Sequence, residues 1–509
     1  MKSLQATGPL AQLTRQPWLR LLVLGLVLGF AFQGSRGLWR TDEGRYTDGA
    51  LQMLASGNYL IPAYSANRVN LSKPPVTYWI IAGAVKLLGR NTWAVRAPYA
   101  AAFVLTILLV YAIGIDLVPG KPWLPALIYA CAFVPFASAN AVSTDVFLTL
   151  FEALAALGFV RLSFGNHQSS RRLDAVLLWL GLGLAFLTKG PPGLILLLAI
   201  VPFIIPRGGW RGLGPVFQPL GIAVFFVVGL LWYAIVVVHD PWALHYFLYR
   251  EIYQRIFTGA QRRHPGPFGW AVAYVPTLVI GSLPWWPLLF RNARHRFAID
   301  GRRQWLPHHP VELFLLLWFG LPLLVFCLAQ SRLPLYVLPL FLPLSLLLAL
   351  ALGDDIDLRL VRQRVLFGAW VVALLALKGG IAYFVHTPRD ERAMARELTA
   401  LTRSRAFGAL VFVEATRKAY AVEEHTPWGL TLYLDKPVYG IAWGGPESPT
   451  QLCRAVRGHR TSLLLLDAAT APSARPVIVH QCGVRAIVPM GTWRGRVLDR
   501  VSLKRASHS

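Results

Sequence analysis

Residues 333–352 read LPLYVLPLFLPLSLLLALAL, twenty consecutive residues without a charged side chain. An α-helix needs about 20 apolar residues to cross the hydrocarbon core of a bilayer. Core helices of soluble proteins are shorter and are apolar along one side only. The stretch therefore predicts a helix that spans a membrane.

Blocks of the same kind recur along most of the chain, which is 55% hydrophobic and 15% charged, with a mean hydropathy of +0.50. The sequence predicts an α-helical polytopic membrane protein with about 11–13 transmembrane helices. The block 75–88 is only 14 residues long, which favours an interfacial helix and a count of eleven spans. The first block lacks an obvious cleavage site and is expected to be a retained span. The blocks lie near 18–35, 75–88, 95–118, 122–138, 146–163, 174–188, 191–206, 215–238, 270–290, 310–329, 333–352 and 364–385.

Arginines in short loops predict the orientation, because such loops stay on the cytoplasmic side. Four clusters are expected there, and an even number of spans separates each from the next. The net charge of +26 also suits attraction to anionic lipids or phosphate-bearing substrates. We predict no nucleic-acid partner. The clusters lie at 171–172, 207–211, 291–303 and 359–364. Their cytoplasmic position places the C-terminal part on the extracytoplasmic side, together with the loops 36–94, 139–145, 239–269 and 330–332.

The pattern changes after about residue 385. Short apolar segments alternate with polar, Gly- or Pro-containing turns, which predicts a small C-terminal α/β domain over 386–509. Residues 1–385 are predicted to form a transmembrane catalytic domain, with 36–94 as its first extracytoplasmic loop. The short segments include Ala409–Glu414, Thr431–Leu434, Pro437–Ile441 and Ser462–Asp467.

The chain contains four cysteines. Cys131 and Cys327 lie in apolar blocks and are expected to be packing residues. Cys453 and Cys482 lie in the polar C-terminal part and could form one disulfide if that part is extracytoplasmic. Two cysteines alone leave open whether they are bonded. The sequence has no CxxC or HExxH spacing typical of a metal site.

Two charged motifs follow the first span. Asp42 and Glu43 stand between Arg40 and Arg45, and charges at a membrane surface are costly unless they have a purpose. The motif indicates either a catalytic carboxylate beside phosphate-binding cations or a solvated loop. Lys73 precedes two prolines at a helix entry. Its ammonium could meet a lipid phosphate, or it could be a lysine that reaches the interface from a helix end.

These motifs resemble the GT-C glycosyltransferases of the aminoarabinose transferase and protein mannosyltransferase superfamily. The similarity covers about residues 18–350, and it rests on the order and spacing of several short segments. They are Asp42-Glu43-Gly44-Arg45-Tyr46 followed by Met53–Asn58, Lys73-Pro74-Pro75 with Tyr78-Trp79, Gly89 with Ala94–Pro98, Phe186–Pro191, Gly281–Trp285 and Gln330–Pro339.

The resemblance implies a polyprenyl-phosphate-sugar donor and inversion at the anomeric carbon. By position, Asp42 matches the family's catalytic carboxylate and Glu43 is its neighbour, while Asp145 resembles a second acidic position. A helix N-cap is the alternative role for Asp145. Lys73 matches the lysine that binds the donor phosphate. The further substrate-binding residues that the resemblance implies are Arg45, Tyr46, Tyr78, Glu251, Arg255, Arg332 and Tyr336.

Two positions depart from the family. Relatives carry a Glu-His-x-x-Arg-like stretch where Glu251 and Arg255 fit but Ile252 replaces the histidine. Relatives also often have an acidic residue where this chain has Ser72. We therefore predict no metal site there, although a divalent metal stays possible as a cofactor. A lone His264 is more often structural than a ligand.

The resemblance thus implies an inverting glycosyltransferase of the bacterial inner membrane, and the arginine clusters predict that its active site and C-terminal domain lie on the periplasmic side. Asp42, Lys73, Asp145 and Glu251 are expected to converge in one cavity. For a hydroxyl acceptor Asp42 would act as general base, and for a phosphate acceptor it would orient the acceptor or stabilise positive charge on the sugar ring. The sugar (aminoarabinose, a hexose or galacturonic acid) and the acceptor (lipid A, another glycan or a protein) stay open. A transporter or flippase, an oligosaccharide ligase and a scaffold are the alternatives, although the sequence has no clear internal repeat.

Overall fold

The computed structural model describes residues 16–64, 68–165, 170–254, 258, 263–264, 266–285, 288–289, 309–402, 406–416 and 419–503. The chain divides into two compact units. The first, here called the membrane unit, comprises residues 1–33, 71–77 and 96–382. The second, here called the α/β unit, comprises residues 34–70, 78–95 and 383–509.

Among the described residues, seven helices are long and apolar enough to cross a membrane, with a mean hydropathy of 1.7 to 2.7. Their lipid-facing and buried sides are both apolar, as expected for spans. The count of eleven spans stays a prediction, because other apolar helices are shorter or broken. The seven are Thr92–Leu117, Thr144–Phe164, Pro191–Gly208, Pro219–His239, Pro310–Leu328, Pro334–Leu352 and Val361–Phe384.

Some of these spans change helix type along their length. Pro191–Leu194 and Pro334–Leu340 are 3₁₀ turns, and Phe226–Leu230 is a π-helical segment. A second π-helical segment, Tyr246–Tyr253, follows the span that ends at His239. π-Helical segments are rare and occur mostly at functional sites. The other helices that lie wholly within the membrane unit's residue ranges are Pro17–Phe30, Trp123–Cys131, Phe133–Ser138, Arg171–Lys189, Trp210–Leu213, Trp242–His245 and Gly269–Gly281.

The helices Thr144–Phe164 and Arg171–Lys189 pack closely because glycines remove side chains from their interface. A Cβ atom on Gly158 would lie 2.4 Å from the Leu178 nitrogen, and one on Gly181 would lie 2.5 Å from the Ala155 nitrogen. Small residues allow such close backbone approach between membrane helices. Gly158 faces Leu178 and Gly181 faces Ala155, so the helices run antiparallel and the start of the first lies beside the end of the second.

The α/β unit is built on a five-stranded sheet. Its strands are β3 Ala409–Ala415, β4 Val438–Trp443, β5 Thr461–Asp467, β6 Val484–Trp493 and β7 Arg496–Leu503. Their order across the sheet is β4-β3-β5-β7-β6. β3 pairs in parallel with β4 and β5, whereas β7 pairs antiparallel with β5 and β6. Two short strands, β1 (Ala63–Tyr64) and β2 (Arg68–Val69), form a separate antiparallel pair.

The sheet has a buried face on each side, as parallel sheets usually do. Alternate residues of β3 point to opposite faces, with Phe412 in one apolar cluster and Val413 in the other. Tyr64 of the first loop stacks on Trp428 at 4.7 Å and joins the Phe412 cluster. The helices that lie mainly in this unit are Asp42–Ser56, Val76–Leu88, Glu391–Leu401, Ala419–His425, Leu430–Leu434, Ser448–Arg457 and Ala471–Gln481.

A helical membrane protein with a small C-terminal α/β part was the expected fold class, and the structure confirms it. The segment Thr431–Leu434 lies in a helix rather than a strand. Cys453 and Cys482 form a disulfide, while Cys131 and Cys327 are free.

Candidate active site

The membrane unit contains a cavity of about 730 Å³ whose wall is largely apolar. It is lined by residues of several helices and has few polar side chains, chiefly those of Ser72, Lys189, Glu251 and Ser331. Its lining is made by Leu71, Ser72, Pro74, Leu148, Phe186, Lys189, Gly190, Pro191, Pro192, Leu194, Ile195, Leu198, Leu230, Tyr233, Ala234, Val237, Leu244, Phe247, Leu248, Glu251, Ile252, Val325, Phe326, Ala329, Ser331 and Tyr336.

Lys73 and Glu251 form the first charged pair at this cavity. The Lys73 Nζ lies 3.9 Å from a carboxylate oxygen of Glu251 and donates to the Ser72 carbonyl at 2.9 Å. The Tyr246 hydroxyl donates to the other Glu251 oxygen at 3.4 Å. Tyr246 and Glu251 are five residues apart in a π-helical segment, which brings side chains at that spacing onto one face.

Asp145 and Lys189 form the second charged pair, and both side chains are buried. The Ser143 hydroxyl donates to the other Asp145 oxygen at 2.7 Å and also accepts the Asp145 backbone N–H at 3.2 Å, so that it caps the helix. Lys189 lies 4.1 Å above the ring of Tyr336, in a cation–π contact. Asp145 is thus two residues past the N-cap Ser143 and is also the counterion of a cavity lysine.

The structure therefore brings together three of the four residues that were expected to converge. Lys73, Asp145 and Glu251 surround one cavity of the membrane unit. Asp42 belongs to the α/β unit, and its convergence with them stays a prediction. Lys189 was not predicted as a site residue, although it lies in the segment Phe186–Pro191 that carries part of the family resemblance.

Arg332 was expected to bind substrate, and its guanidinium is occupied by backbone carbonyls. It donates to His264 at 3.0 Å, to Gly266 at 2.8 Å and to Cys327 at 3.0 Å. His264 in turn contacts the Arg332 carbonyl through Nδ1 at 3.0 Å, which agrees with a structural histidine. Arg332 thus positions the chain beside Ser331. Arg255 lies outside the described residues.

In the α/β unit, the neighbours Asp42 and Glu43 have different surroundings. Glu43 is buried and accepts two bonds from Arg36, at 2.7 and 2.8 Å, and one from the Trp39 backbone N–H at 2.8 Å. Asp42 pairs with Arg45, and 49% of its side chain is exposed. Asp42 can therefore meet a substrate, whereas Glu43 holds the chain before the helix Asp42–Ser56.

The two tyrosines of the motif pack on each other. The rings of Tyr46 and Tyr78 are tilted with centroids 5.7 Å apart. The Tyr78 hydroxyl accepts a bond from the Asn70 side chain at 2.9 Å. Both rings are buried, so they shape the wall behind the exposed Asp42 end of the helix.

A buried carboxyl lies beneath this loop. Glu391 is fully buried, and one of its oxygens accepts the Gly429 N–H at 3.2 Å. Burial raises the pKa of the Glu391 carboxyl well above its usual range, although the Gly429 bond and the charge of Arg40 oppose the shift.

The sequence matches a family model described as dolichyl-phosphate-mannose-protein mannosyltransferase over residues 72–235. Three curated relatives are named undecaprenyl phosphate-alpha-4-amino-4-deoxy-L-arabinose arabinosyl transferase. That of Edwardsiella ictaluri is 33% identical over 342 residues, which are 65% of this chain and 58% of that protein. A second, numbered 2, from Pseudomonas fluorescens is 34% identical over 67% of this chain and 61% of its own length. The chain thus spans about three fifths of these two proteins.

The third relative, from Aeromonas salmonicida, is 28% identical over 91% of this chain and 82% of that protein. Among solved structures, the crystal structure of ArnT from Cupriavidus metallidurans bound to undecaprenyl phosphate has a TM-score of 0.73. The identity is 18%, over 95% of this chain and 98% of that chain, so this likeness shows a shared fold. The chain is therefore similar in sequence to aminoarabinose transferases and protein mannosyltransferases, and it shares the fold of ArnT.

The two positions at which this chain departs from the family pattern, Ser72 and Ile252, lie together at the cavity. The aliphatic side chain of Ile252 offers no ligand atom. Within the part of the chain that the structure describes, no group of three or more His, Cys, Asp or Glu side chains could hold a metal ion.

Proposed function

We propose that this protein is an inverting glycosyltransferase that moves a sugar from a polyprenyl-phosphate carrier to a lipid A-like or other cell-envelope acceptor. This proposal rests on the cavity of the membrane unit, where two lysines lie beside a largely apolar wall. A polyprenyl phosphate has the same two parts, an apolar chain and an anionic head. The names of the relatives favour a pentose, 4-amino-4-deoxy-L-arabinose, as the sugar.

The proposed chemistry is an in-line displacement at the anomeric carbon of the sugar. The bond from that carbon to the carrier phosphate breaks, and negative charge builds on the departing phosphate. Lys73 and Lys189 would stabilise this charge, because preorganised cations in a site with little water act strongly. Their partners Glu251 and Asp145 hold the two ammonium groups in place before substrate binds.

Asp42 is the proposed catalytic carboxylate. Its half-exposed side chain can accept a proton from an acceptor hydroxyl, whereas the paired and buried Glu43 cannot without breaking three hydrogen bonds. We propose that Glu43 acts by positioning. Tyr336, Tyr46, Tyr78 and Arg45 are proposed to shape and bind around the substrates.

We further propose that the cavity opens on the periplasmic side of the inner membrane. Ser72, Glu251 and Ser331 come from three loops that arginine placement assigns to that side, and they line one cavity. Their proximity also agrees with a helix Val76–Leu88 that does not cross the membrane. The Cys453–Cys482 disulfide supports an extracytoplasmic C-terminal part, since cytoplasmic thiols are kept reduced.

The test is donor turnover by the purified full-length protein in detergent, with a panel of polyprenyl-phosphate sugars. We expect one donor to be consumed, and Asp42→Asn and Lys73→Ala to lower its turnover by about 100-fold or more. Lys86→Ala, an exposed lysine of the helix Val76–Leu88, is the matched control. Movement of an intact carrier across vesicles without consumption would instead indicate a flippase, and full turnover in both variants would refute the site.

A further inference from the structure

Glu152 is a carboxyl side chain in the helix Thr144–Phe164 that the proposed mechanism does not use. It is fully buried, and neither of its oxygens has a hydrogen-bond partner among the described residues. Burying a polar group without hydrogen bonds is costly. Ionisable side chains within membrane spans are rare for this reason, and they usually have a function and a nearby partner. The cost of placing Glu152 here therefore points to a role other than helix packing.

Glu152 lies behind the second charged pair of the cavity. It follows Asp145 by about two helical turns, so the two side chains lie on the same face of their helix. Leu148, one turn before Glu152, lines the cavity, whereas Glu152 is not part of the lining. The buried Lys189 of the neighbouring antiparallel helix pairs with Asp145. Glu152 is therefore a second carboxyl group near the same lysine.

The charged groups that act on Glu152 among the described residues are Lys189 and Asp145. By Coulomb's law Lys189 attracts an ionised Glu152 and Asp145 repels it, and both effects are strong where water is scarce. Lys189 also lies 4.1 Å above the ring of Tyr336. The aromatic rings that pack on this helix from other elements are Tyr99, Phe203 and Phe314.

The protonation of Glu152 decides the charge that an anion meets at Lys189. With Glu152 protonated, the ammonium of Lys189 and the carboxylate of Asp145 cancel each other. With Glu152 ionised, two carboxylates surround one ammonium, and the group has an excess negative charge. Such a group repels a phosphate, and the second carboxylate competes with that phosphate for Lys189.

We propose that Glu152 is a positioning residue that acts through Lys189, and that the carrier phosphate binds at Lys189 only while Glu152 holds its proton. Loss of that proton to the solvent places a second carboxylate beside the ammonium and displaces the phosphate. No bond of the carrier forms or breaks in this step. The inference rests on the proposed function, because it requires the carrier phosphate to lie at Lys189.

The direction of the pH dependence follows from linkage. A bound phosphate adds negative charge beside Lys189, so protein with bound carrier holds the Glu152 proton more tightly than empty protein does. Because such coupling is reciprocal, the affinity for the carrier rises as pH falls. One linked proton changes the affinity by at most about tenfold for each pH unit.

The test measures binding of a polyprenyl phosphate methyl ester to the purified full-length protein in detergent, between pH 6 and 10. This probe is a phosphodiester with one fixed negative charge, so any pH dependence comes from the protein. Glu152→Gln has the shape of the protonated acid and should bind the probe as wild type does at pH 6. Between pH 6 and 10 we expect wild type to lose at least about tenfold more affinity than this variant. A residue needed only for packing would not change the pH profile.

Glu312→Gln is the matched control. It removes a carboxyl from the start of the helix Pro310–Leu328, whose other end supplies the cavity residues Val325 and Phe326, and it should keep the wild-type profile. Wild type alone provides a second measurement that does not depend on the folding of any variant. Its binding heat in two buffers of different ionisation enthalpy gives the number of protons taken up with the probe, which should be above zero at alkaline pH.

The outcomes separate this inference from the proposed function. Equal pH profiles for wild type and Glu152→Gln, or binding without proton uptake at any pH, would overturn the role of Glu152 and leave the glycosyltransferase proposal in place. Failure of wild type to bind the probe at every pH would overturn both. A pH dependence that Glu152→Gln removes, in a protein that transfers no sugar, would support the role of Glu152 and refute the proposed function.

Discussion

Asp145 and Lys189 form an ion pair that is 7% and 6% exposed at their side chains, at the shared end of two closely packed helices. Each partner is held a second time, Asp145 by the Ser143 hydroxyl and Lys189 by the ring of Tyr336. The glycines at 158 and 181 set the helix approach that brings the two charges together. The position of the charged pair at the cavity therefore depends on the close packing of the two helices.

Breaking this pair should cost more stability than removing it. Asp145→Asn or Lys189→Met leaves one buried charge unpaired, which costs about 3–5 kcal/mol. The double variant leaves no charge and should melt closer to wild type. Thermal unfolding of the purified protein in detergent measures this. Additive losses in the double variant would show that the two side chains do not act as a pair.

The helix approach itself can be tested at Gly181. An alanine Cβ there would lie 2.5 Å from the Ala155 nitrogen and 2.8 Å from the Phe151 carbonyl oxygen, so the helices must move apart. We expect Gly181→Ala to lower stability by about 1–3 kcal/mol and to reduce donor turnover, because Asp145 and Lys189 shift with their helices. Gly320→Ala is the control, since a Cβ there meets no atom within 4 Å. Equal melting temperatures for the two variants would contradict the packing argument.

The sequence predicted the spans and the α/β part because hydropathy and alternation report burial directly. The sequence could not show that Asp42 and Glu43 have different surroundings. That difference arises because Arg36 and the Trp39 N–H donate to the carboxylate of Glu43. The sequence also could not show that the Arg332 guanidinium donates to backbone carbonyls, because such bonds depend on loop conformation.

Two other features needed the three-dimensional fold. Lys189 was not predicted as a site residue, because only the packing of the two helices places it beside Asp145. The grouping of residues 34–70 with the C-terminal part was not predicted either, since it depends on contacts such as the Tyr64–Trp428 stack between distant segments.

The Cys453–Cys482 disulfide should stabilise the α/β unit. It joins residues 29 apart, and closing a loop of that length contributes about 3–4 kcal/mol by restricting the unfolded chain. We expect the double variant Cys453→Ser/Cys482→Ser to unfold at lower temperature and to be insensitive to reductant. Cys327→Ser, which removes a free thiol, should leave the reductant effect intact. A wild-type protein whose melting is unaffected by reductant would contradict the prediction.

The carboxyls of Glu391 and Glu397 should make the stability of the folded protein depend on pH in opposite directions. Burial raises the pKa of Glu391, so its contribution is fully present below the ordinary value of 4.5 and is lost as pH rises through the folded pKa. Glu391→Gln mimics the neutral acid and should match wild type at low pH but exceed its melting temperature at pH 8. The bond from Arg494 lowers the pKa of Glu397, whose contribution is present above 4.5 and is lost as pH falls.

Glu397→Gln should therefore melt below wild type at pH 8 and approach it in acid. Melting temperatures of the three proteins between pH 4 and 8 compare the two residues in one experiment. The difference between Glu391→Gln and wild type should grow with pH, because only wild type must either ionise a buried carboxyl or take up a proton against the solution. A Glu391→Gln protein that melts below wild type at pH 8 would mean that the carboxyl is charged when folded, with Arg40 as its partner.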